Sequence, residues 1–210
     1  VDVQGNMSFT GRLDDTGLAS EQDALKTLED AMFANLLVDP IVASMLIEGN
    51  APVAGRKVLY GKLLHGSMAL QLPRGGLGSL RLAGQMDERI SDGFLMVLQD
   101  VSLTAGVDQF FPTLGFNIDP AGPSSFPTGI HAVIHLWKRT GAGTLQAAVQ
   151  GSTTSGGVFT DRLTFTTPTT GVGAQALVQA ETTDTEDFHR VRLQSSATET
   201  ISVLVASRRF

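Results

Sequence analysis

Two histidines, His131 and His135, stand in a stretch of alternating character that runs from Ile130 to Trp137. On a strand, successive side chains point to opposite faces, so both imidazoles and the Trp137 indole share one face. Two imidazoles on one face could begin a metal site. No third ligand is near them in sequence, because His65 and His189 are far along the chain and there is no Cys. A packed or half-exposed aromatic stripe is therefore the expected reading, with no metal and no cofactor. Nucleophilic hydrolysis has equally little to work with. The chain has four His and no Gly-x-Ser-x-Gly elbow. Ser124, Ser125, Ser152 and Ser155 fall in turn clusters, where Ser is expected for its local hydrogen bonding. The carboxylates Asp87-Glu88, Asp184 and Glu186-Asp187 also fall in expected turns, where solvated loops need no further account. Arg74-Gly75-Gly76-Leu77-Gly78 lacks both the strand-to-helix context and the Lys-Ser/Thr of a phosphate loop, and reads as a turn. Arg208-Arg209 is too short for a nucleic-acid tail and is a candidate for a salt link to an acidic neighbour. No constellation reaches catalytic grade, so the chain is expected not to be an enzyme.

The elements that must position these residues are mostly short and extended. A strand is expected within residues 3–12. Ser20 reads as a helix N-cap with Glu21 and Asp23 in the first turn, and Leu25, Leu28, Met32 and Leu36 form an amphipathic stripe. The pattern predicts one flanking helix over residues 20–37, stopped by Asp39-Pro40. Strands are then expected at 42–48, 56–64, 67–72, 77–85 and 93–104. Six more follow at 130–138, 144–150, 158–167, 174–180, 188–194 and 201–207, with Gly- and Thr-rich turns between them. Strands of this length and spacing, with no βαβ rhythm, predict a mainly β fold: an antiparallel β-sandwich or barrel. One domain is expected to span residues 1–210.

Residues 106–129 break the pattern. They hold four of the eight Pro (Pro112, Pro120, Pro123, Pro127) and four of the eleven Phe (Phe110, Phe111, Phe116, Phe126). That many prolines exclude a regular helix or a central strand. Two expectations stay open: a long loop folded onto its own domain, or an arm whose phenylalanines dock on a neighbouring subunit.

Composition narrows the function classes. Apolar residues are 42% of the 210, which is globular, but charged residues are only 17%, against roughly 25% in soluble domains. Thr numbers 21, and 14 of these lie in the last 70 residues. The net charge of −6 argues against a general phosphate-backbone binder, which needs a basic face. The longest apolar runs, 33–38 and 93–98, fall far short of the roughly 20 residues that cross a bilayer, and no membrane partner is expected. Weak charge with abundant Thr and Gly is the profile of a building block whose surface is used in contacts.

With Gln150-Gly151-Ser152, Phe159, Arg190-Val191-Arg192-Leu193 and residues 203–209, the last third of the chain resembles the closing segment of structural proteins of tailed bacteriophages. In that pattern a strand ends near Gln-Gly-Ser, and a Gly-rich turn leads to an aromatic-starting strand. A strand with an Arg-x-Arg-Leu stretch follows, and a final apolar strand ends in a basic residue. Here Gln150-Gly151-Ser152, Phe159, Arg190-Val191-Arg192-Leu193 and residues 203–209 carry the likeness. Residues 8–20 and 61–84 also look like segments of tail proteins.

Similarity to a tail tube protein implies a β-sandwich or barrel with a helix at its flank. It implies copies in stacked, hexameric rings forming a tube through which DNA passes as transient, non-specific cargo. The partners would be the chain itself and other virion proteins, and the location the virion. The residues agree in three ways. Repeated negative charge can line a lumen that does not hold DNA, with Asp14, Asp15, Asp87, Glu88, Asp184, Glu186 and Asp187 as candidates. Low charge suits subunit contacts, whose centres are depleted in charge. The Phe-bearing arm could dock on the next subunit, each buried ring contributing about 1.5–3 kcal/mol. Two alternatives stand beside this: a head decoration or other capsid-associated protein, and a carbohydrate-binding adhesion module using Trp137, Tyr60 and His131.

Overall fold

The computed structural model describes residues 6–13, 41–46, 53–71, 78–86, 91–118, 129–166, 171–180 and 186–209. Every regular element among them is a β-strand, and every pairing with a resolved register between strands is antiparallel. The helix expected over 20–37 lies outside the described residues. No helix among the described residues is long and apolar enough to cross a membrane.

The chain gathers into two compact units. The first comprises Val1–Ala43 and Gly61–Ile90, the second Ser44–Tyr60 and Ser91–Phe210. In the first unit, β1 (Asn6–Leu13) pairs along its whole length with β4 (Gly78–Met86), from Asn6 opposite Gln85 to Leu13 opposite Gly78. Strand β2 (Ile41–Leu46), whose last three residues belong to the second unit, pairs with β3 (Lys57–Gln71), whose first four do. The later part of β3 pairs with β4. Sequence predicted two strands here, 56–64 and 67–72. The structure has one, with a break in register between Leu64 and Ser67 that absorbs His65 and Gly66. A bulge lets a strand continue past an irregular pair, so a local interruption of pattern need not end it.

The second unit holds two sheets. In one, the first four residues of β3 pair with β5 (Ser91–Leu103), which is followed in order by β12 (Glu199–Arg209), β7 (Gly129–Arg139) and β10 (Gly173–Ala180). The other has the order β6 (Gln109–Asn117), β11 (Phe188–Ser195), β8 (Leu145–Ser152) and β9 (Thr160–Phe165). One apolar core draws on both. Val97, Val101, Ile130, Ile134, Leu136, Ile201, Val203 and Val205 come from the first sheet, and Leu145, Val149, Leu163, Val191 and Leu193 from the second. β11 shows the cause plainly. His189, Val191, Leu193 and Ser195 are buried, while Phe188, Arg190, Arg192 and Gln194 between them are not. The period of two written in the sequence thus turns one face inward. Each aliphatic side chain so buried contributes about 1.5–3 kcal/mol.

Strand β6 corrects the expectation for residues 106–129. Residues 109–117 are not loop: they form the edge strand of the second sheet. An edge strand pairs on one side only, which is where Pro is tolerated. The register with β11 breaks between His189, opposite Phe116, and Val191, opposite Phe111. Pro112 falls in that break, where its missing N–H interrupts no ladder. Residues 119–128 lie outside the described residues.

Candidate functional site

The β7 face opposite the core carries the histidines. Ile130, Ala132, Ile134 and Leu136 point into the core, so His131 and His135 share the other side, as alternation requires; Trp137 falls at a break in register with β12. His131 is buried, with its Nδ1 2.5 Å from Ser91 Oγ. Its ring meets Tyr60 edge-on at 4.8 Å, and the Tyr60 hydroxyl donates to the His131 carbonyl at 2.7 Å. Burial pushes the Tyr60 phenol well above its usual range. His135 is held separately, its Nε2 2.8 Å from Ser44 Oγ. Burial lowers its pKa to about 4, so it is neutral at pH 7. The two rings are thus fixed by two different serines and do not converge on one point. Trp137 is 52% exposed. Tyr60 and His131 are both buried, so of the three residues read as a sugar platform only Trp137 faces outward. That alternative loses the stacked rings it needs.

The four phenylalanines divide. Phe111 and Phe116 pack against this chain's own core, Phe116 with its ring 5.4 Å from that of Phe94. Phe110 does something different. The Arg190 guanidinium lies between its ring, at 3.9 Å, and that of Phe159, at 4.0 Å. Arg190 Nε donates to Gln150 Oε1 at 2.8 Å, and Gln150 Nε2 donates to Asp161 Oδ1 at 2.6 Å. Arg192 donates to Asp161 Oδ2 at 2.5 Å and to Asp108 Oδ1 at 3.3 Å. Burial opposes the charge on Asp161, but the bonds from Arg192 and Gln150 outweigh it and hold the carboxyl below the usual range. The outer face of the second sheet is therefore a closed polar network roofed by two rings. Phe126 lies outside the described residues.

The acidic lumen candidates fare differently from their expectation. Glu186 is buried and takes two bonds from Arg162, at 2.7 and 2.5 Å. Asp187 receives Arg209 Nη1 at 3.0 Å. Both carboxylates are neutralised within the subunit, because the fold brings β9 and the end of β12 to the start of β11. Asp14, Asp15, Asp87, Glu88 and Asp184 lie outside the described residues. The Arg208-Arg209 pair does make acidic links, Arg208 to Asp92 and Arg209 to Asp187.

Three features had no readable signal. Arg139 forms a two-bond pair with Glu199 at 2.9 and 2.6 Å, both side chains almost wholly buried, and Ser195 Oγ donates to the same carboxylate at 2.5 Å. His189 is fully buried with its Nε2 unpartnered; burial first, then the nearby Arg209 and Arg162 charges, lower its pKa to about 3. Val178 on β10 and Val172 just before it are exposed apolar side chains. Partners such as Arg139 and Glu199 meet only through the fold, tens of residues apart in sequence.

No protein family matches the chain, and neither does any curated protein or any solved structure. Function has to be argued from these residues themselves.

Proposed function

We propose that the chain is a structural subunit of a tailed-bacteriophage particle, in the first place a tail tube subunit with a β-sandwich core that builds stacked rings around a DNA-conducting channel. One observation carries the reading. The reading rests on the resemblance of the last third of the chain, whose segments are strands and turns in the fold. β8 ends at Ser152, a Gly-containing turn follows, Phe159 stands just before β9, Arg190-Val191-Arg192-Leu193 lies inside β11, and residues 203–209 lie inside β12. Supporting physics comes from charge. The chain carries −6 overall, yet Glu186, Glu199, Asp92, Asp161 and Asp187 are each paired with arginine inside the subunit. Acidic residues left to face a lumen are then those of other segments, with Asp14, Asp15, Asp87, Glu88 and Asp184 the remaining candidates. The chain makes no use of a cofactor in this role, and DNA is cargo and not a ligand.

Negative-stain electron microscopy of the purified chain over a range of concentrations, with light scattering alongside, tests the reading. Rings or tubes with a central hole are expected. A chain that forms neither, alone or with added tail-initiator extract, and that instead decorates empty capsids, overturns it in favour of a head protein.

A further inference from the structure

We propose that residues 186–189 are an acid-labile clasp: on acidification the start of β11 comes away from β9 and from the ends of β6, β8 and β12, while the centres of both sheets of the second unit stay paired. Each residue of the clasp ties β11 to a different neighbour. Glu186 takes two bonds from Arg162 of β9, at 2.7 and 2.5 Å. Asp187 takes Arg209 Nη1 of β12 at 3.0 Å, and its carbonyl accepts from the Ile118 N–H at 2.8 Å. Phe188 pairs with Asn117 and with Ser152, the last residues of β6 and β8. His189 pairs one residue further in, with Phe116 and Gly151, and its Nδ1 is 3.5 Å from Ser207 Oγ of β12.

His189 is the weak member. Its side chain is fully buried, and Nε2 has no hydrogen-bond partner. A second ring proton would therefore sit in the core with nothing to accept it, which costs free energy. The residues facing it offer no relief. Phe116 of β6 and Gly151 of β8 carry no charge. Ser207 and Arg209 stand on β12, Arg162 on β9, and Glu186 and Asp187 on its own segment, each carboxylate bonded to one of the two arginines. Burial first, then the Arg209 and Arg162 charges, disfavour the charged ring. An opened segment is free of these constraints, and its histidine takes up a proton below about pH 6.5. Acid thus favours any opening that wets His189. The smallest such opening is local. His189 belongs to the second pair from the strand ends, and the register with β6 breaks between it and Val191. Only the end pairs and the two ion pairs must part, while Val191 and Leu193 stay in the core. Openings of this kind cost less than global unfolding. His131 and His135 lie on β7 and take no part in it.

Amide hydrogen exchange of the full chain, resolved by residue at pH values from about 7.5 to about 4.5 and corrected for intrinsic exchange rates, tests this. Opening constants for residues 116–118 and 187–190 are expected to exceed those of Ile134 and Val203, in the centres of β7 and β12. They are expected to rise with acid by close to about tenfold per pH unit below about pH 6, the signature of one proton taken up on opening. His189→Leu is expected to flatten that rise. His189→Gln, which does not titrate but keeps a polar side chain, is expected to do the same and serves if the leucine variant does not fold. Opening constants equal to those of Ile134 and Val203 at every pH overturn the proposal, because exposure then comes from global unfolding. Constants that do not rise with acid overturn it as well. So does a rise that survives the loss of the histidine, which assigns the acid response to the carboxylates.

Discussion

His189 sits in the core with one ring nitrogen unpartnered and two arginines nearby. In the unfolded chain a histidine titrates near 6.5, and in the fold this one titrates near 3. Between those values the unfolded chain takes up a proton that the folded chain refuses, so stability falls as pH falls. The loss begins at about pH 6.5 and approaches about 1.4 kcal/mol per pH unit for each such group. His135, lowered to about 4, adds a second proton over most of the same window. Urea unfolding at pH 6.5, 5.5 and 4.5 is expected to show this slope, and His189→Leu to reduce it by about one proton; an unchanged slope places the acid sensitivity elsewhere. The Arg139–Glu199 pair gives the second residue-scale prediction. Burial opposes ionisation of Glu199, but Arg139 and Ser195 outweigh it and keep the carboxyl below the usual range. Arg139→Met strands a buried charge and is expected to cost about 3–5 kcal/mol, while Arg139→Met with Glu199→Leu recovers most of that. Denaturant midpoints of the two variants decide it.

At the scale of the element, β6 is a strand only because two different contacts hold its two faces. Phe111 and Phe116 anchor it to the core, and Phe110 anchors it to Arg190 on the outside. These faces predict a split. Phe111→Ser is expected to lower unfolding free energy by about 3 kcal/mol through the loss of buried ring volume. Phe110→Ser is expected to cost about 1 kcal/mol, the scale of one cation–π contact. Equal losses would mean that the two rings are not on opposite faces. Gly115 belongs to the same element. Its φ is +79°, which favours glycine, and a Cβ there would lie 2.6 Å from the Phe159 ring. Gly115→Ala is therefore expected to displace Phe159 from Arg190 and to destabilise by more than about 1 kcal/mol in thermal unfolding. Removing the whole strand would take Phe111 and Phe116 out of the core, so a deletion of 108–127 reports on folding before it reports on assembly.

For the whole molecule the deciding quantity is charge against contact. Copies of a chain at −6 are held apart by long-range repulsion and brought together by short-range burial. Salt screens the first and leaves the second, with a Debye length of about 10 Å at 0.1 M. Self-association is therefore expected to strengthen as salt rises from about 0.02 to about 0.2 M, measured by light scattering. Weakening over that range would assign the contacts to ion pairs between copies.

Alternation and turn chemistry sufficed to predict the class of fold and most strand positions. The run from His131 to Trp137, the stretch 188–194 and the closing strand are legible because the period of two is a local property that burial on one face imposes directly. The pairing of β6 with β11 and the union of 56–64 with 67–72 were not legible. Each depends on which strands become neighbours, and a bulge or an edge position can override a local break signal. The chemistry divides along the same line. The sequence shows that Glu186, Asp187, Tyr60 and His131 are polar residues near turns or on one strand face. Only the tertiary structure buries Glu186, Tyr60 and His131 and pairs Asp187, because Arg162, Arg209, Ser91 and the far sides of other strands reach them from tens of residues away. Partners distant in sequence carry no mutual signal in a single chain, and a group's solvation is decided by what the fold sets on top of it.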